Sequence, residues 1–140
     1  MLVNGNTNET IIAPAFDNGE AFNTKSSDLK IEAILHDNNR FVESAYKSRT
    51  CIFEENAKQI NPFKYIESLQ NKECNEALIR IVPKINLDKI ITMINEIPEE
   101  FEGITIISKI RKEFYIKCLK YCYETSLYPT YLETLKLENM

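Results

Sequence analysis

One stretch near the start of the chain places an acidic side chain at the end of an apolar, extended segment. It reads Ile11-Ile12-Ala13-Pro14-Ala15-Phe16-Asp17-Asn18-Gly19. A carboxylate that leaves a strand at a tight turn is well placed to hold a metal ion and, through the metal, a phosphate group. Asp-Asn-Gly is also an ordinary turn sequence. The segment alone therefore leaves two interpretations open: a metal-binding carboxylate at Asp17, or a plain turn.

The four cysteines are Cys51, Cys74, Cys118 and Cys122. Cys118 and Cys122 are four residues apart, so on a helix they lie on one face, a spacing that two metal ligands could use. No two further ligands cluster with them in the sequence. We therefore predict buried thiols that behave as small apolar side chains.

His36 is the sole histidine, and it falls at the end of a predicted helix beside Asp37. A cationic imidazole is favourable at a helix C-terminus, where the backbone carbonyls carry partial negative charge. We assign His36 this structural position and no catalytic role.

Basic residues and tyrosines crowd the last third of the chain. The basic residues are Lys109, Arg111, Lys112, Lys117 and Lys120, and the tyrosines are Tyr115, Tyr121, Tyr123, Tyr128 and Tyr131. Charges on the outer face of a helix usually serve solvation, with contact to phosphate or to a partner as the alternative. Helical spacing favours core and rim packing of the tyrosines over a stacking platform for bases.

Length and composition indicate an ordinary globular domain. The chain has 140 residues, of which 44% are hydrophobic and 27% charged, and its formal net charge is -4. No apolar run approaches the roughly 20 residues of a membrane-spanning helix, and the acidic balance argues against nucleic acid as a direct partner. We expect a single domain, 1–140, in the cytoplasm, where thiols stay reduced.

The elements that must position Asp17 begin with a hairpin. Residues 1–3 and 10–13 are apolar and rich in β-branched side chains, and residues 4–9 supply turn chemistry between them. A two-stranded hairpin is marginal in water on its own. It must therefore pack on the helices that follow or belong to a larger sheet.

From Ser26 onward the apolar spacing is helical. Ser26 and Ser27 can cap a helix that runs to the polar break at residues 37–39. Residues 41–60 are the least regular, and we predict a loop there, with extended pieces around residues 48–53.

Capping residues and prolines divide the rest of the chain into four further helices. The predicted helices start at Asn61-Pro62, at Asn71, after Asn86 and after Ser108. Their predicted ends are near Leu69, at Pro83, at Pro98 and at Tyr128-Pro129, where a final short helix through Leu135 begins. Residues 99–103 make a connector.

The fold class that follows is mainly α, with an N-terminal β-hairpin followed by a helical bundle. We assign residues 1–19 to the hairpin with the acidic motif, and residues 26–137 to the helical region.

Several separated segments resemble one protein family. Residues 12–19 look like the metal-binding motif of the HipA-like kinases, bacterial serine/threonine protein kinases that include toxins of toxin-antitoxin pairs. Three further segments resemble the helical C-terminal part of HipA-like proteins from Gram-positive bacteria: residues 59–66, Ile97-Pro98-Glu99-Glu100 and Arg111-Lys112-Glu113-Phe114-Tyr115.

The resemblance implies a role for two residues of the acidic motif. Asp17 would coordinate Mg²⁺ that bridges the phosphates of ATP, and Phe16 would lie beside the nucleotide. The implied reaction is transfer of the γ-phosphoryl group to a hydroxyl group of a protein substrate.

The chain departs from the family in what precedes Asp17. A phosphate loop, its lysine and a catalytic loop with Asp, His and Asn are needed ahead of the metal-binding residue, and residues 1–16 contain none of them. The resemblance therefore implies the C-terminal portion of a kinase, inactive alone, whose partners are the missing N-terminal portion, a protein substrate and an antitoxin.

Two alternatives remain open. One is a non-catalytic helical interaction module, or degenerate kinase lobe, that binds an antitoxin or an N-terminal partner. The other is an unrelated helical domain in which Asp17 only makes a turn.

Overall fold

The computed structural model describes residues 2–3, 10–11, 23, 25–46 and 59–138. All structural statements refer to these residues. Asp17 and Phe16 lie outside them.

The N-terminal hairpin is confirmed. Strand β1 (Leu2–Val3) pairs antiparallel with β2 (Thr10–Ile11), and the register sets Leu2 opposite Ile11. The other residues of the predicted runs, Met1, Ile12 and Ala13, lie outside the described residues.

Helices dominate the rest of the described chain, which confirms the mainly α class. They are α1 (Asp28–His36), α2 (Asn38–Ala45), α3 (Pro62–Glu67), α4 (Lys72–Ile81), α5 (Leu87–Glu96), α6 (Lys109–Cys122) and α7 (Tyr128–Glu138).

The helices begin where side chains can satisfy free backbone amides. The predicted caps are confirmed at Ser27, Asn61, Asn86 and Ser108, each of which accepts a hydrogen bond from the amide three residues later. Such a cap contributes about 1 kcal/mol to helix stability. Proline at the first position of α3 removes no hydrogen bond, because that amide has no partner within a helix.

The predicted loop over residues 41–60 is wrong at its start, because α2 continues to Ala45. Asp37 begins this helix: its Oδ1 accepts from the amides of Asn39 and Arg40 at 3.0 and 3.2 Å. Phe41 anchors the helix in the core with 1% of its surface exposed. The extended pieces predicted around residues 48–53 lie outside the described residues.

The predicted connector after α5 contains a second hairpin. Strand β3 (Glu100–Phe101) pairs antiparallel with β4 (Ile104–Thr105), and the amide of Ile106 extends the ladder by donating to the carbonyl of Glu99 at 2.9 Å. The turn residues Glu102 and Gly103 have φ angles of 51° and 77°. Two positive φ angles in succession are typical of the tight turn that matches the twist of a hairpin.

A π-helical turn, Tyr123–Leu127, joins α6 to α7. Its last hydrogen bond runs from the amide of Tyr128 to the carbonyl of Tyr123, a span of five residues. Pro129 explains the wider turn, since proline lacks the amide proton and its ring crowds the carbonyl four residues earlier. The predicted interruption at Tyr128-Pro129 is thus confirmed as a restart of the helix.

The largest buried cluster joins α1, α2 and α6. It consists of Ile31, Ile34, Phe41, Phe114 and Cys118. The Phe41 ring meets the Phe114 ring edge to face, with centroids 6.3 Å apart, an arrangement that aromatic pairs favour. The packing expected of Tyr115 and Tyr121 is confirmed, because both contact this cluster.

A second buried region lies where α4 packs on α7. Leu78 and Val82 are buried on the α4 side, and Thr130 and Thr134 on the α7 side. The two threonine hydroxyls donate to carbonyls one turn earlier in the chain, at 2.7 and 2.8 Å, so their burial leaves them hydrogen bonded.

Candidate functional site

The role predicted for Asp17 and Phe16 stays a prediction, since both residues lie outside the described part of the chain. Strand β2 ends at Ile11, six residues before Asp17 in the sequence. The described residues nevertheless include a charged cavity on the helical region.

This cavity has a volume of about 720 Å³ and is bordered by α2, the end of α5 and α6. Phe41, Ile116 and Tyr121 give it an apolar part. Its charged residues are Lys109, Lys112, Lys117, Lys120, Glu99, Glu113 and Glu124. Four of the five basic residues singled out in the sequence thus lie around one concave surface.

Lys112 binds the end of α5. Its side chain is 11% exposed, and its Nζ donates to the carbonyl of Asn95 at 3.3 Å and lies 3.8 Å from the carboxylate of Glu99. A cation near the end of a helix satisfies carbonyls that have no partner within the helix. The prediction of a solvated outer face is therefore wrong for Lys112.

Lys117 binds the end of α1 in the same way. Its Nζ donates to the carbonyl of Leu35 at 3.2 Å and lies 4.3 Å from the centroid of the Phe41 ring. The ammonium group therefore combines a helix-end contact with a cation–π contact.

Arg111 joins the beginnings of α1 and α6. Its Nε donates to Oδ1 of Asp28 at 2.7 Å, and its Nη2 donates to the carbonyl of Ser26. A hydrogen bond from the Ser108 hydroxyl and the neighbouring Arg111 guanidinium lower the pKa of the Asp28 carboxyl, against the opposing effect of burial. Asp28 is therefore held as a carboxylate.

Cys118 and Cys122 lie in or beside the core, as predicted. Cys118 is 5% exposed, and burial raises the pKa of its thiol to about 12. Burial also raises the pKa of Cys122, whose Sγ donates to the carbonyl of Ala45 at 3.4 Å. Thiols with raised pKa values are poor nucleophiles and poor metal ligands at neutral pH. Across the described residues, no group of three or more His, Cys, Asp or Glu could hold a metal ion.

His36 ends α1, as the sequence predicted, and its side chain is exposed. Within the described ranges, no helix is long and apolar enough to span a bilayer.

The cavity brings side chains of both charges to one concave surface. Its polar groups are the amines and carboxylates, the phenol of Tyr121 and the side-chain amides of Asn38 and Asn95. Lys112 and Lys117 are already engaged with helix ends. The contacts of these two lysines with helix ends could not be predicted from the sequence, because their partners are backbone carbonyls on other helices.

Comparison with known proteins relates the chain to protein kinases. It is 30% identical, over 110 residues, to the serine/threonine-protein kinase CtkA of Helicobacter pylori strain J99. The crystal structure of an H. pylori proinflammatory kinase CtkA superposes with a TM-score of 0.77 over 96% of this chain, at 26% identity. No protein-family model matches the chain.

The similarity covers a part of each relative. The matched region is 78% of this chain but 32% of the curated kinase, and the structural match covers 44% of the crystallised chain. These comparisons support a kinase-related fold and confirm the predicted fold class.

Proposed function

We propose that this chain is the C-terminal lobe of a HipA-like serine/threonine protein kinase. In this proposal the lobe contributes to ATP-dependent phosphoryl transfer to a protein hydroxyl and is inactive by itself. The observation that carries the proposal is the agreement of sequence and fold with a serine/threonine kinase over most of this chain.

Asp17 is the residue proposed to act in that reaction. As a carboxylate it would be an oxygen ligand for Mg²⁺, which neutralises charge on the phosphates of ATP. Phe16 would contact the nucleotide. Because Mg²⁺ prefers six oxygen ligands in near-octahedral geometry, one carboxylate is insufficient, and the remaining ligands would come from ATP, water and the N-terminal portion.

The test uses the complete kinase, in which this chain is combined with the polypeptide that supplies the phosphate and catalytic loops. Asp17→Asn keeps the size of the side chain and removes its charge. We expect phosphoryl transfer to fall by about a hundredfold or more, because loss of the charge weakens metal binding at the transferring phosphate. Radiolabel transfer from ATP and calorimetric binding of Mg²⁺-ATP are the measurements.

Asp88→Asn is the matched control, since Asp88 is an exposed carboxylate in the first turn of α5. It should leave both readouts unchanged. Equal activity and equal nucleotide affinity in Asp17→Asn and the parent kinase would contradict the assigned role.

A second candidate function is a non-catalytic interaction module that binds an N-terminal partner or an antitoxin. Large apolar side chains that remain exposed favour it, among them Leu29, Met93, Phe101 and Ile104. This candidate predicts that the Asp17→Asn chain still binds such a partner as tightly as the parent.

The other expected properties are a cytoplasmic location and membership of a toxin-antitoxin pair. The first rests on the composition of the chain and its four cysteines, and the second rests on the family resemblance. Co-purification of the chain with a neighbouring gene product would test the second of them.

A further inference from the structure

The outer face of α6 carries charges of alternating sign. Lys109, Glu113, Lys120 and Glu124 line the cavity, and all four side chains are exposed. An α-helix turns by about 100° per residue, so these positions share one side of α6 and of the turn that follows it. Ile116, which also lines the cavity, lies near the middle of this side. These five residues are here called the α6 face.

The four exposed charges of the α6 face remain available to a partner. Among the described residues, none of the four forms an ion pair. The other two lysines beside the face are already engaged. Lys112 contacts the end of α5 and Glu99, and Lys117 contacts the end of α1 and the ring of Phe41.

The order of these charges is self-complementary when two α6 helices run antiparallel. Lys109 and Glu124 are equally far in sequence from the point just after Ile116, and so are Glu113 and Lys120. A twofold axis through that point sets Lys109 of one copy opposite Glu124 of the other. The same axis sets Glu113 opposite Lys120, and symmetry repeats each pair.

The alternating pattern disfavours other occupants of the face. Two parallel α6 helices would bring each lysine and each glutamate against its own equivalent, and juxtaposed like charges are costly at an interface. A uniformly basic or uniformly acidic segment would meet two like charges on the face. The face therefore selects a helix whose charges also alternate, and α6 of a second copy has that pattern in the required order.

The walls of the cavity are compatible with this pairing. Lys112 lies on the flank of α6 that contacts α5, and Tyr121 lies on the flank that contacts Phe41 of α2. The two residues are separated by about two and a half helical turns, so they lie on opposite flanks. Helix α5 thus borders the first half of α6, and α2 borders the second half on the other side. The twofold axis carries each wall of the second copy to the half of a flank that the described border of the cavity leaves open.

Lys117 is the remaining charge near the axis, where it lies close to its own equivalent in a second copy. Its ammonium group donates to the Leu35 carbonyl and lies 4.3 Å from the centroid of the Phe41 ring. The carbonyl oxygen and the face of the ring both present partial negative charge to the ammonium group. These contacts reduce the repulsion between the two Lys117 side chains.

We propose that the α6 face is the contact of a twofold homodimer in which α6 of one copy packs antiparallel on α6 of the other. Ile116 contacts its equivalent near the axis, and the two kinds of lysine–glutamate pair surround this contact. The face buries little apolar surface, so the dimer is weak, with a dissociation constant of about 10–100 µM. The inference does not require phosphoryl transfer and stands if the kinase proposal fails.

Sedimentation equilibrium of the 140-residue chain is the first test. We expect the average mass to rise from that of the 16.3 kDa monomer towards twice that value as the protein concentration increases from about 5 µM to about 500 µM. Because salt screens exposed charges, the dimer should weaken between about 0.05 M and about 0.5 M NaCl. A chain that stays monomeric at all these concentrations would overturn the proposal.

Charge reversal tests the antiparallel register. Glu113→Lys and Lys120→Glu each bring like charges together in a homodimer, and we expect either variant alone to dimerise at least about tenfold more weakly than the parent. An equimolar mixture of the two variants should form a mixed dimer with nearly the parent affinity, because each altered residue then faces the opposite charge. The double variant that carries both changes should dimerise like the parent for the same reason.

Lys84→Glu and Glu133→Lys are the matched controls for net charge. Both residues are exposed, Lys84 in the turn after α4 and Glu133 on α7, and neither lines the cavity. Each control should dimerise like the parent. Equal losses in the controls and the α6 variants, or a mixture of the two α6 variants that stays monomeric, would overturn the proposal. A dimer that survives both single reversals would place the contact elsewhere. Recovery in the mixture cannot come from unfolded chains, so a misfolded variant cannot imitate the expected result.

Discussion

Three basic side chains of α6 each hold a neighbouring helix. Arg111 contacts the start of α1, Lys117 contacts its end, and Lys112 contacts the end of α5. Arg111 precedes Lys117 in α6, and the parts of α1 that they contact occur in the same order. The two helices therefore run in the same direction. A side chain that the sequence indicates as solvated can therefore determine how helices are arranged.

The Asp28 contacts lead to a prediction on pH. Because the folded-state pKa of Asp28 is lowered, its contribution to stability is present above the unfolded pKa, near 4, and is lost as pH falls through the folded value. We expect Asp28→Asn to cost about 0.5–1 kcal/mol at pH 7, a figure reduced by solvent screening at this half-exposed carboxyl. Urea unfolding at pH 7 and pH 3 measures the difference.

Asp88→Asn is the control that distinguishes the Asp28–Arg111 ion pair from the general stabilising effect of an acidic residue in the first turn of a helix. Asp28 and Asp88 both occupy such positions. A loss at pH 7 that is equal in the two variants, or a loss at Asp28 that persists at pH 3, would contradict the prediction.

The contacts of some residues could be predicted from the neighbouring sequence, and those of others could not. The caps at Ser27, Asn61 and Ser108 were predictable because each bond is made three residues along the chain. The contacts of Lys112 and Lys117 were not, since they cross 17 and 82 residues of sequence. Asp17 and Phe16 remain predictions.

At the scale of elements, the helix boundaries followed from caps and prolines. Helix α2 was missed because it has eight residues and buries one of them, Phe41, so it shows no repeating apolar stripe. The hairpin at residues 100–105 was missed because each strand has two residues. Its turn is Glu-Gly, without the Asn or Asp that usually signals such a turn.

The turn of this hairpin gives a second prediction. Gly103 has φ 77° and nothing within 4 Å of the position of an added Cβ, so Gly103→Ala introduces backbone strain without a clash. We expect the hairpin to open more readily by about 1 kcal/mol. Hydrogen exchange of the Ile106 amide, which donates to the Glu99 carbonyl, reports the opening.

Glu102→Asn tests the same turn in the opposite direction. Glu102 has φ 51°, a conformation that asparagine tolerates better than glutamate. Exchange of the Ile106 amide should slow in this variant. Faster exchange in Glu102→Asn, or no change in Gly103→Ala, would be inconsistent with strain in the turn.

At the scale of the molecule, Tyr46 links the core around Phe41 to α3. Its hydroxyl donates to Oε2 of Glu67 at 2.5 Å, its ring stacks on Phe63 at 5.3 Å between centroids, and its carbonyl accepts from Nδ2 of Asn61 at 2.6 Å. Burial, followed by the bond to Glu67, raises the pKa of the Tyr46 phenol. Tyr46 therefore connects α2, which precedes residues 47–58, to α3, which follows them.

Tyr46→Phe should therefore weaken the fold in a pH-dependent manner. A raised folded-state pKa gives stability that is present below the unfolded pKa, near 10, and lost as pH rises through the folded value. We expect a cost of about 1 kcal/mol at pH 7 that shrinks above pH 10. Thermal unfolding at several alkaline pH values measures it.

Tyr131→Phe is the control, because it removes a hydroxyl from α7, a different helix from that of Glu67, and leaves the tilted ring contact with Tyr128 in place. A pH-independent cost in Tyr46→Phe, or the same profile in both variants, would refute the link.

More of the fold than of the function could be predicted from the sequence. Fold class and most helix bounds depend on spacing and caps, which a single sequence contains. The kinase relationship depended on short segments spread along the chain, and comparison supports it in its coarse form. The proposed metal ligand could not be tested by packing, because Asp17 lies outside the described residues.

The π-helical turn at Tyr123–Leu127 also affects how this chain should be aligned with its relatives. A turn that spans five residues contains one residue more than an α-helical turn is built from. The extra residue rotates α7 about its axis relative to α6. The buried positions of α7 therefore do not continue the spacing of the buried positions of α6. An alignment that treats residues 109–138 as one regular helix would pair the buried positions of α7 with outward positions in a relative that lacks the extra residue. A one-residue gap at this turn restores the correspondence.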